Sequence, residues 1–121
     1  MDEHEAGELF LQLLDAMMHL RRKGVVHRDI KPENIIVANK KVTLIDFGLG
    51  CLCDEGQRLK TSCGSPCYAA PEMMSGKSYD PQKTEIWALG VTLYAMLCGN
   101  LPFEDGDPNQ LYKQMMANRY E

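Results

Sequence analysis

The sequence predicts a mainly α-helical fold with one small β-ribbon. Apolar residues recur at helical spacing over residues 5–23, and an almost unbroken apolar run fills residues 86–98. Only two short β-rich runs, at 35–37 and 42–45, break the helical theme. A length of 121 residues suits one compact unit. A content of 45% hydrophobic and 25% charged residues sets aside the disordered and collagen-like classes.

In the first helix, Ala6, Phe10, Leu13, Leu14, Met17, Met18 and Leu20 form the apolar stripe. Acidic residues crowd its start and Arg21-Arg22-Lys23 close it, each matching the helix dipole. Gly24 ends the helix and Val25-Val26 open a short extended piece. Ile35-Ile36-Val37 and Val42-Thr43-Leu44-Ile45 flank Ala38-Asn39-Lys40-Lys41, a connection of hairpin length, so a two-stranded ribbon is expected beside the first helix.

From residue 46 to 81 neither the strand nor the helix period persists, and Gly, Ser, Pro and Cys are frequent. A stretch of that kind inside a compact domain is usually functional or disordered, and one helical turn is expected over 71–74. Residues 86–98, apolar almost all round, predict a helix buried on every face and stopped by Gly99. Asp107-Pro108-Asn109-Gln110 supplies a capping residue, a proline at the first helical position and a Gln three after the cap. That last helix carries Leu111 and Met115 on one side.

A net charge of −4 and a pI near 5.3 argue against nucleic-acid or anionic-membrane partners, which need clustered excess Lys and Arg. Five cysteines without a Cys-x-x-Cys pair indicate neither zinc nor a disulfide framework. The acidic opening Met1-Asp2-Glu3-His4-Glu5 is unlike a targeting leader, and the longest apolar run is too short to span a bilayer. A cytoplasmic protein with free thiols is expected.

The decisive string is His27-Arg28-Asp29, with Lys31 two residues and Asn34 five residues after the aspartate. His-Arg-Asp alone is compatible with a loop aspartate paired to a neighbouring arginine, but the whole of residues 27–34 resembles the protein-kinase catalytic loop. Asp46-Phe47-Gly48, 17 residues beyond Asp29, would by itself suit a tight turn. It also resembles the kinase magnesium motif, and Ala70-Pro71-Glu72 resembles the end of the activation segment. All three stand in the family's order. Lys31-Pro32-Glu33-Asn34 is similar to serine/threonine rather than tyrosine kinases. The string Leu59-Lys60-Thr61-Ser62-Cys63-Gly64-Ser65-Pro66-Cys67-Tyr68 resembles the AMP-activated and calcium/calmodulin-dependent kinase group. The similarity continues through Trp87-Ala88-Leu89-Gly90-Val91 and Gly99-Asn100-Leu101-Pro102-Phe103.

The resemblance implies that residues 1–121 form part of the C-terminal lobe of the α+β kinase fold. It implies ATP-dependent phosphoryl transfer to Ser or Thr hydroxyls of a protein substrate. Asp29 would orient the hydroxyl and act as base, Lys31 would assist at the transferring phosphate, and Asn34 and Asp46 would bind Mg2+ bridging the ATP phosphates. Ser65 would hydrogen-bond Asp29 and Lys31. Thr61 would be phosphorylated by an upstream activating kinase and would pair with Arg28.

Several family parts lack counterparts here. Nothing before His27 resembles the glycine-rich loop, the strand lysine or the helix glutamate of the upper lobe, and the arginine that pairs with the family's Glu at Glu72 would fall past residue 121. A truncated lobe, inactive on its own, is therefore expected. The alternatives are a non-catalytic module that binds a partner through its last helix and exposed upper face, or a truncated gene product. Glu85 stands where the family has an Asp that accepts hydrogen bonds from the catalytic-loop backbone. An equally good account of a carboxylate there is favourable interaction with a helix start.

Overall fold

The computed structural model describes residues 2–54, 56–60 and 64–117. Helix α1 (Glu3–Arg22) begins where the Asp2 side chain accepts the Glu5 N–H at 2.8 Å, a cap that satisfies an otherwise orphaned amide. It leads through Gly24, at φ 70°, into strand β1 (Val25–Val26). A single 3₁₀ turn over Pro32–Asn34 then feeds the ribbon of β2 (Ile35–Ala38) and β3 (Lys41–Leu44), antiparallel with Ile35 opposite Leu44. Its turn is tighter than the four residues expected. Asn39 and Lys40, at φ 50° and 61°, make a two-residue left-handed turn of the kind that follows the natural strand twist.

The ribbon lies against α1 as expected, and Gln12 fixes it there. Gln12 Oε1 accepts the Val42 N–H at 2.9 Å, and Gln12 Nε2 donates to the Lys40 carbonyl at 2.6 Å. One side chain thereby satisfies two backbone groups on the ribbon's outer edge.

Periodicity did not reveal a second β pair. Strand β4 (Cys51–Leu52) runs antiparallel to β1, with Val25 opposite Leu52 and Val26 opposite Cys51. Two-residue strands are too short for any alternation to register. Short helix α2 (Pro71–Met74) sits where one turn was expected.

Helix α3 (Pro81–Cys98) differs from expectation in two ways. It starts at Pro81 rather than at residue 86, because Asp80 caps it by accepting the Gln82 N–H at 3.0 Å and Pro81 takes the first helical position. It is also not buried on every face, since Ile86 is 61% and Leu97 40% exposed. Among the described residues no element covers that side. In α4 (Pro108–Met116), Asp107 caps as predicted, accepting the Asn109 N–H at 3.0 Å. Its own amide, however, donates to Asp105 Oδ1 at 2.9 Å, which takes the place of the reciprocal Gln110 contact.

Leu13 of α1, Ile30 of the loop after β1 and Leu89 of α3 form the core beneath the ribbon, flanked by Phe10, Met17, Ile35 and Leu44. Ala70, Met73 and Tyr79 make a second cluster, and Phe103, Leu111 and Met115 a third. Trp87 stacks on Phe103 with ring centroids 5.8 Å apart. Ile30 immediately follows Asp29, so burying it at the centre of the first cluster holds the polar loop at the surface of the core. No described helix is long and apolar enough to cross a membrane.

Candidate active site

The loop between β1 and the 3₁₀ turn is held from three directions. His27, fully buried, has Nε2 2.8 Å from the Ile45 carbonyl and Nδ1 3.1 Å from the Asp29 N–H. A carbonyl only accepts and a backbone amide only donates, so Nε2 carries the proton and Nδ1 is the acceptor. The imidazole thereby bridges the catalytic-loop backbone to the segment that leads into Asp46. The Phe47 ring rests on it with centroids 4.6 Å apart.

From beneath, the Arg28 N–H donates to Glu85 Oε1 at 3.0 Å. The longer Glu side chain does reach the loop, so its anchoring role is met in the structure rather than the helix-start role alone. Glu85 is the fifth residue of α3 and only 8% exposed. Burial raises its pKa above 4.5, while the Arg28 and His27 backbone amides work against that rise. Its other oxygen, Oε2, has no hydrogen-bond partner among the described residues, which is consistent with the penalty on the charged form.

From the side comes the end of the irregular segment. Gly64, at φ 85°, brings its backbone so close that a Cβ would stand 2.7 Å from the Arg28 carbonyl oxygen. That approach sets the next residue at the site, where Lys31 Nζ donates to Ser65 Oγ at 2.8 Å. The same ammonium lies 3.7 Å from Asp29 Oδ1. Ser65 therefore meets Lys31 directly, while the Asp29 carboxylate is met by Lys31 and Asn34.

Asn34 Nδ2 donates to the Asp29 carbonyl at 2.8 Å and to Asp29 Oδ2 at 3.1 Å. With its amide nitrogen committed to Asp29, the Asn34 carbonyl oxygen is left to accept. Asp46 follows β3 at φ 59°, with the Gly48 N–H donating to its Oδ1 at 3.3 Å. An amide oxygen and an exposed carboxylate are hard oxygen donors. They suit Mg2+, which keeps several waters and takes one or two protein ligands together with substrate phosphates. The described residues contain no cluster of three or more His, Cys, Asp or Glu that would make an all-protein cage.

Asp29, Lys31, Asn34 and Ser65 thus come together in one constellation. Asp46 stands at the end of β3, joined to it through the Ile45 N–H bond to the Asn34 carbonyl at 2.9 Å. Arg28, at φ 69°, sends its Nε to the Leu49 carbonyl. Thr61 lies outside the described residues. Glu72 is exposed, so it carries no buried-charge penalty. Composition and spacing did not single out Gly64, the Ile45 carbonyl or the Leu49 carbonyl. Of these, only Gly64 left a trace in the sequence, as a glycine directly before the hydroxyl that reaches Lys31.

The protein kinase domain family profile matches residues 1–121, the whole chain. The chain belongs to the protein kinase family. It is 46% identical over 121 residues to a protein named "Serine/threonine protein kinase OSK3" from Oryza sativa, covering 99% of this chain and 24% of that protein. It is 46% identical, with the same coverage, to "Serine/threonine protein kinase OSK4" from the same species. It is 44% identical to "SNF1-related protein kinase catalytic subunit alpha KIN12" from Arabidopsis thaliana, again over 99% of the chain and 24% of the relative. These similarities put it among the serine/threonine kinases of the AMP-activated and SNF1-related group. The chain spans about a quarter of the length of the curated relatives it matches.

Proposed function

We propose that these residues carry the phosphotransfer half of a protein serine/threonine kinase, taking Mg2+ and ATP and passing phosphate to a Ser or Thr hydroxyl of a protein substrate. The observation that supports this best is the Asp29 carboxylate held by both Asn34 and Lys31, with Lys31 also bound to Ser65. Phosphoryl transfer proceeds through a loose transition state in which most of the work is positioning and charge neutralisation.

In this reading Asp29 orients the attacking hydroxyl and accepts its proton, because its carboxylate is fixed on both oxygens yet stays partly open. Lys31 spreads its charge between Asp29 and the phosphate side of the site, and Ser65 fixes where its ammonium sits. Asn34 and Asp46 hold Mg2+, which when bound offsets charge on the phosphates. Arg28 receives a phosphate placed on Thr61 by an upstream kinase.

Residues 1–121 form part of the family's C-terminal lobe. By themselves they lack a phosphate-covering loop and lysine, and we infer that alone they are inactive. The free thiols of Cys51, Cys53, Cys67 and Cys98 suit a reducing cytoplasm. A second reading, a kinase-like binding module, draws on the uncovered apolar side chains of α3, Ile86 and Leu97.

The test is phosphotransfer by a polypeptide that joins these residues to a nucleotide-binding upper lobe. Asp29→Asn should lower the rate by about 10²–10⁴-fold with the fold intact. Retained transfer by that variant would remove Asp29 from the role, whereas no transfer by the wild-type residues in the same polypeptide would favour the binding module.

A further inference from the structure

We propose that Arg58 and Ser78 form a clasp that ties the irregular segment after Asp46 to the chain entering α3, and that this clasp keeps a phosphate on Thr61 within reach of Arg28. Neither Arg58 nor Ser78 belongs to the phosphotransfer constellation. Their positioning role rests on the reading of Thr61 as a phosphorylated residue.

Arg58 Nε donates to Ser78 Oγ at 3.1 Å, and Arg58 Nη2 donates to the Ser78 carbonyl at 2.8 Å. One planar guanidinium thus grips both acceptors of a single residue, with charge-assisted bonds that exceed neutral ones in strength. The next residue on each side pairs as well. The Leu59 N–H donates to the Tyr79 carbonyl at 2.9 Å and the Tyr79 N–H to the Leu59 carbonyl at 2.7 Å, an isolated antiparallel bridge. A bridge of one residue pair has no ladder beside it, so the Arg58 fork supplies the neighbouring bonds that a longer pairing would have.

The Ser78 side of the clasp is firmly held. Tyr79 is 1% exposed in the cluster with Ala70 and Met73, and Leu59 packs against that cluster from the other side. Asp80 and Pro81, which cap and start α3, follow at once. The first turns of α3 and the residues leading into them therefore hold both the catalytic loop, through Glu85, and the irregular segment, through Ser78 and Tyr79.

Thr61 stands two residues after Leu59 and three before Gly64, whose backbone lies against the Arg28 carbonyl. Three residues span at most about 11 Å, which keeps that end of the tether near Arg28. The clasp sets the other end. Among the described residues, the next backbone bond upstream that leaves the segment runs from the Cys53 N–H to the Gly24 carbonyl. Losing the clasp would lengthen the tether from residues 59–64 to residues 53–64, so that five steps become eleven. Loop closure scales with the three-halves power of length, so the longer tether lowers the local concentration of a Thr61 phosphate at Arg28 about threefold.

Amide exchange in the 121-residue chain reads the clasp directly. Arg58→Ala removes both donations and should lower protection of the Leu59 and Tyr79 amides about five- to tenfold. Ser78→Ala removes only the hydroxyl and should lower it less, while Ser78→Thr should keep the wild-type value. Ser78→Ala added to Arg58→Ala should change nothing further, because the two act through one contact. The Ile45 amide, bonded to the Asn34 carbonyl, should keep its protection in every variant. Unchanged protection at Leu59 and Tyr79 in Arg58→Ala, or an equal loss at Ile45, would overturn the proposal.

The role at Thr61 is read in a polypeptide that adds an upper lobe, phosphorylated by an activating kinase and then treated with a serine/threonine phosphatase. Arg28→Ala should speed loss of the Thr61 phosphate. Arg58→Ala should speed it about threefold, and Ser78→Thr should leave it at the wild-type rate. A faster loss in Arg28→Ala with no change in Arg58→Ala would overturn the role of the clasp. No change in Arg28→Ala would locate the failure in the pairing of Thr61 with Arg28; it would overturn the positioning role, while the exchange results still decide the clasp.

Discussion

The Arg28 amide and the Glu85 carboxylate join the catalytic loop to α3 across 57 residues of sequence, through a 3.0 Å hydrogen bond. The anchor is a buried acid whose charged form is penalised by desolvation. Below the ordinary value of 4.5, Glu85 is protonated in both folded and unfolded chains and costs nothing. As pH rises from there through the higher folded-state pKa, the unfolded chain releases a proton that the folded chain retains, so stability falls across that window. Glu85→Gln keeps an oxygen for the Arg28 amide and does not titrate. Urea unfolding at a series of pH values should show a smaller loss of stability over that rise for the variant than for the wild type. Equal slopes would mean that Glu85 is not the source.

Gly64 should tolerate no side chain. An added Cβ would lie 2.7 Å from the Arg28 carbonyl, a backbone atom that cannot swing aside, and φ 85° is itself strained for any other residue. Gly64→Ala should destabilise the chain by about 1–3 kcal/mol and should loosen Ser65 from Lys31. Hydrogen exchange at residues 27–34, compared between the two proteins, reads the loosening. Unchanged protection would place the strain elsewhere.

Binding of MgATP to residues 1–121 alone should be weak, because Asn34 and Asp46 offer metal ligands while nothing in these residues covers the phosphates. Calorimetric titration should give no micromolar-range heat. A micromolar Kd would show that these residues hold the nucleotide without an upper lobe.

Phosphorylation of Thr61, in a polypeptide that supplies an upper lobe, should order the segment between Asp46 and Glu72. A phosphate brings about −1.5 to −2 charge and acceptors for one to three strong hydrogen bonds. Arg28 would leave the Leu49 carbonyl, to which its Nε now donates, and turn to the phosphate. Protease protection and activity should both rise after treatment with an activating kinase and stay low in Thr61→Ala and Arg28→Ala. Protection that survives Thr61→Ala would put the switch at another residue. Protection lost only with Thr61, and not with Arg28, would assign the phosphate to a different cation such as Lys60.

Local chemistry in the sequence determined most of the elements: the α1 stripe from Ala6 to Leu20, the Asp107 cap of α4, the single turn at Pro71, and a ribbon displaced by one residue at its edges. These depend on neighbours within a few positions, so period and capping residues expose them. The strings around Asp29 and Asp46 likewise identified the family, because their order and spacing survive as text. Only the tertiary structure decided what depends on contacts distant in sequence. The β1–β4 pair joins two strands of two residues each, neither of which has a period of its own. The open side of α3 depends on which elements pack there, and an apolar sequence records hydrophobicity without recording what covers it. Whether Glu85 reaches the catalytic loop, as it does at 3.0 Å, turned on how closely the core packs segments 57 residues apart. The approach of Gly64 to the Arg28 carbonyl is of the same kind, and it places Ser65 on Lys31. Such distances are set by the whole packed core rather than by any local pattern.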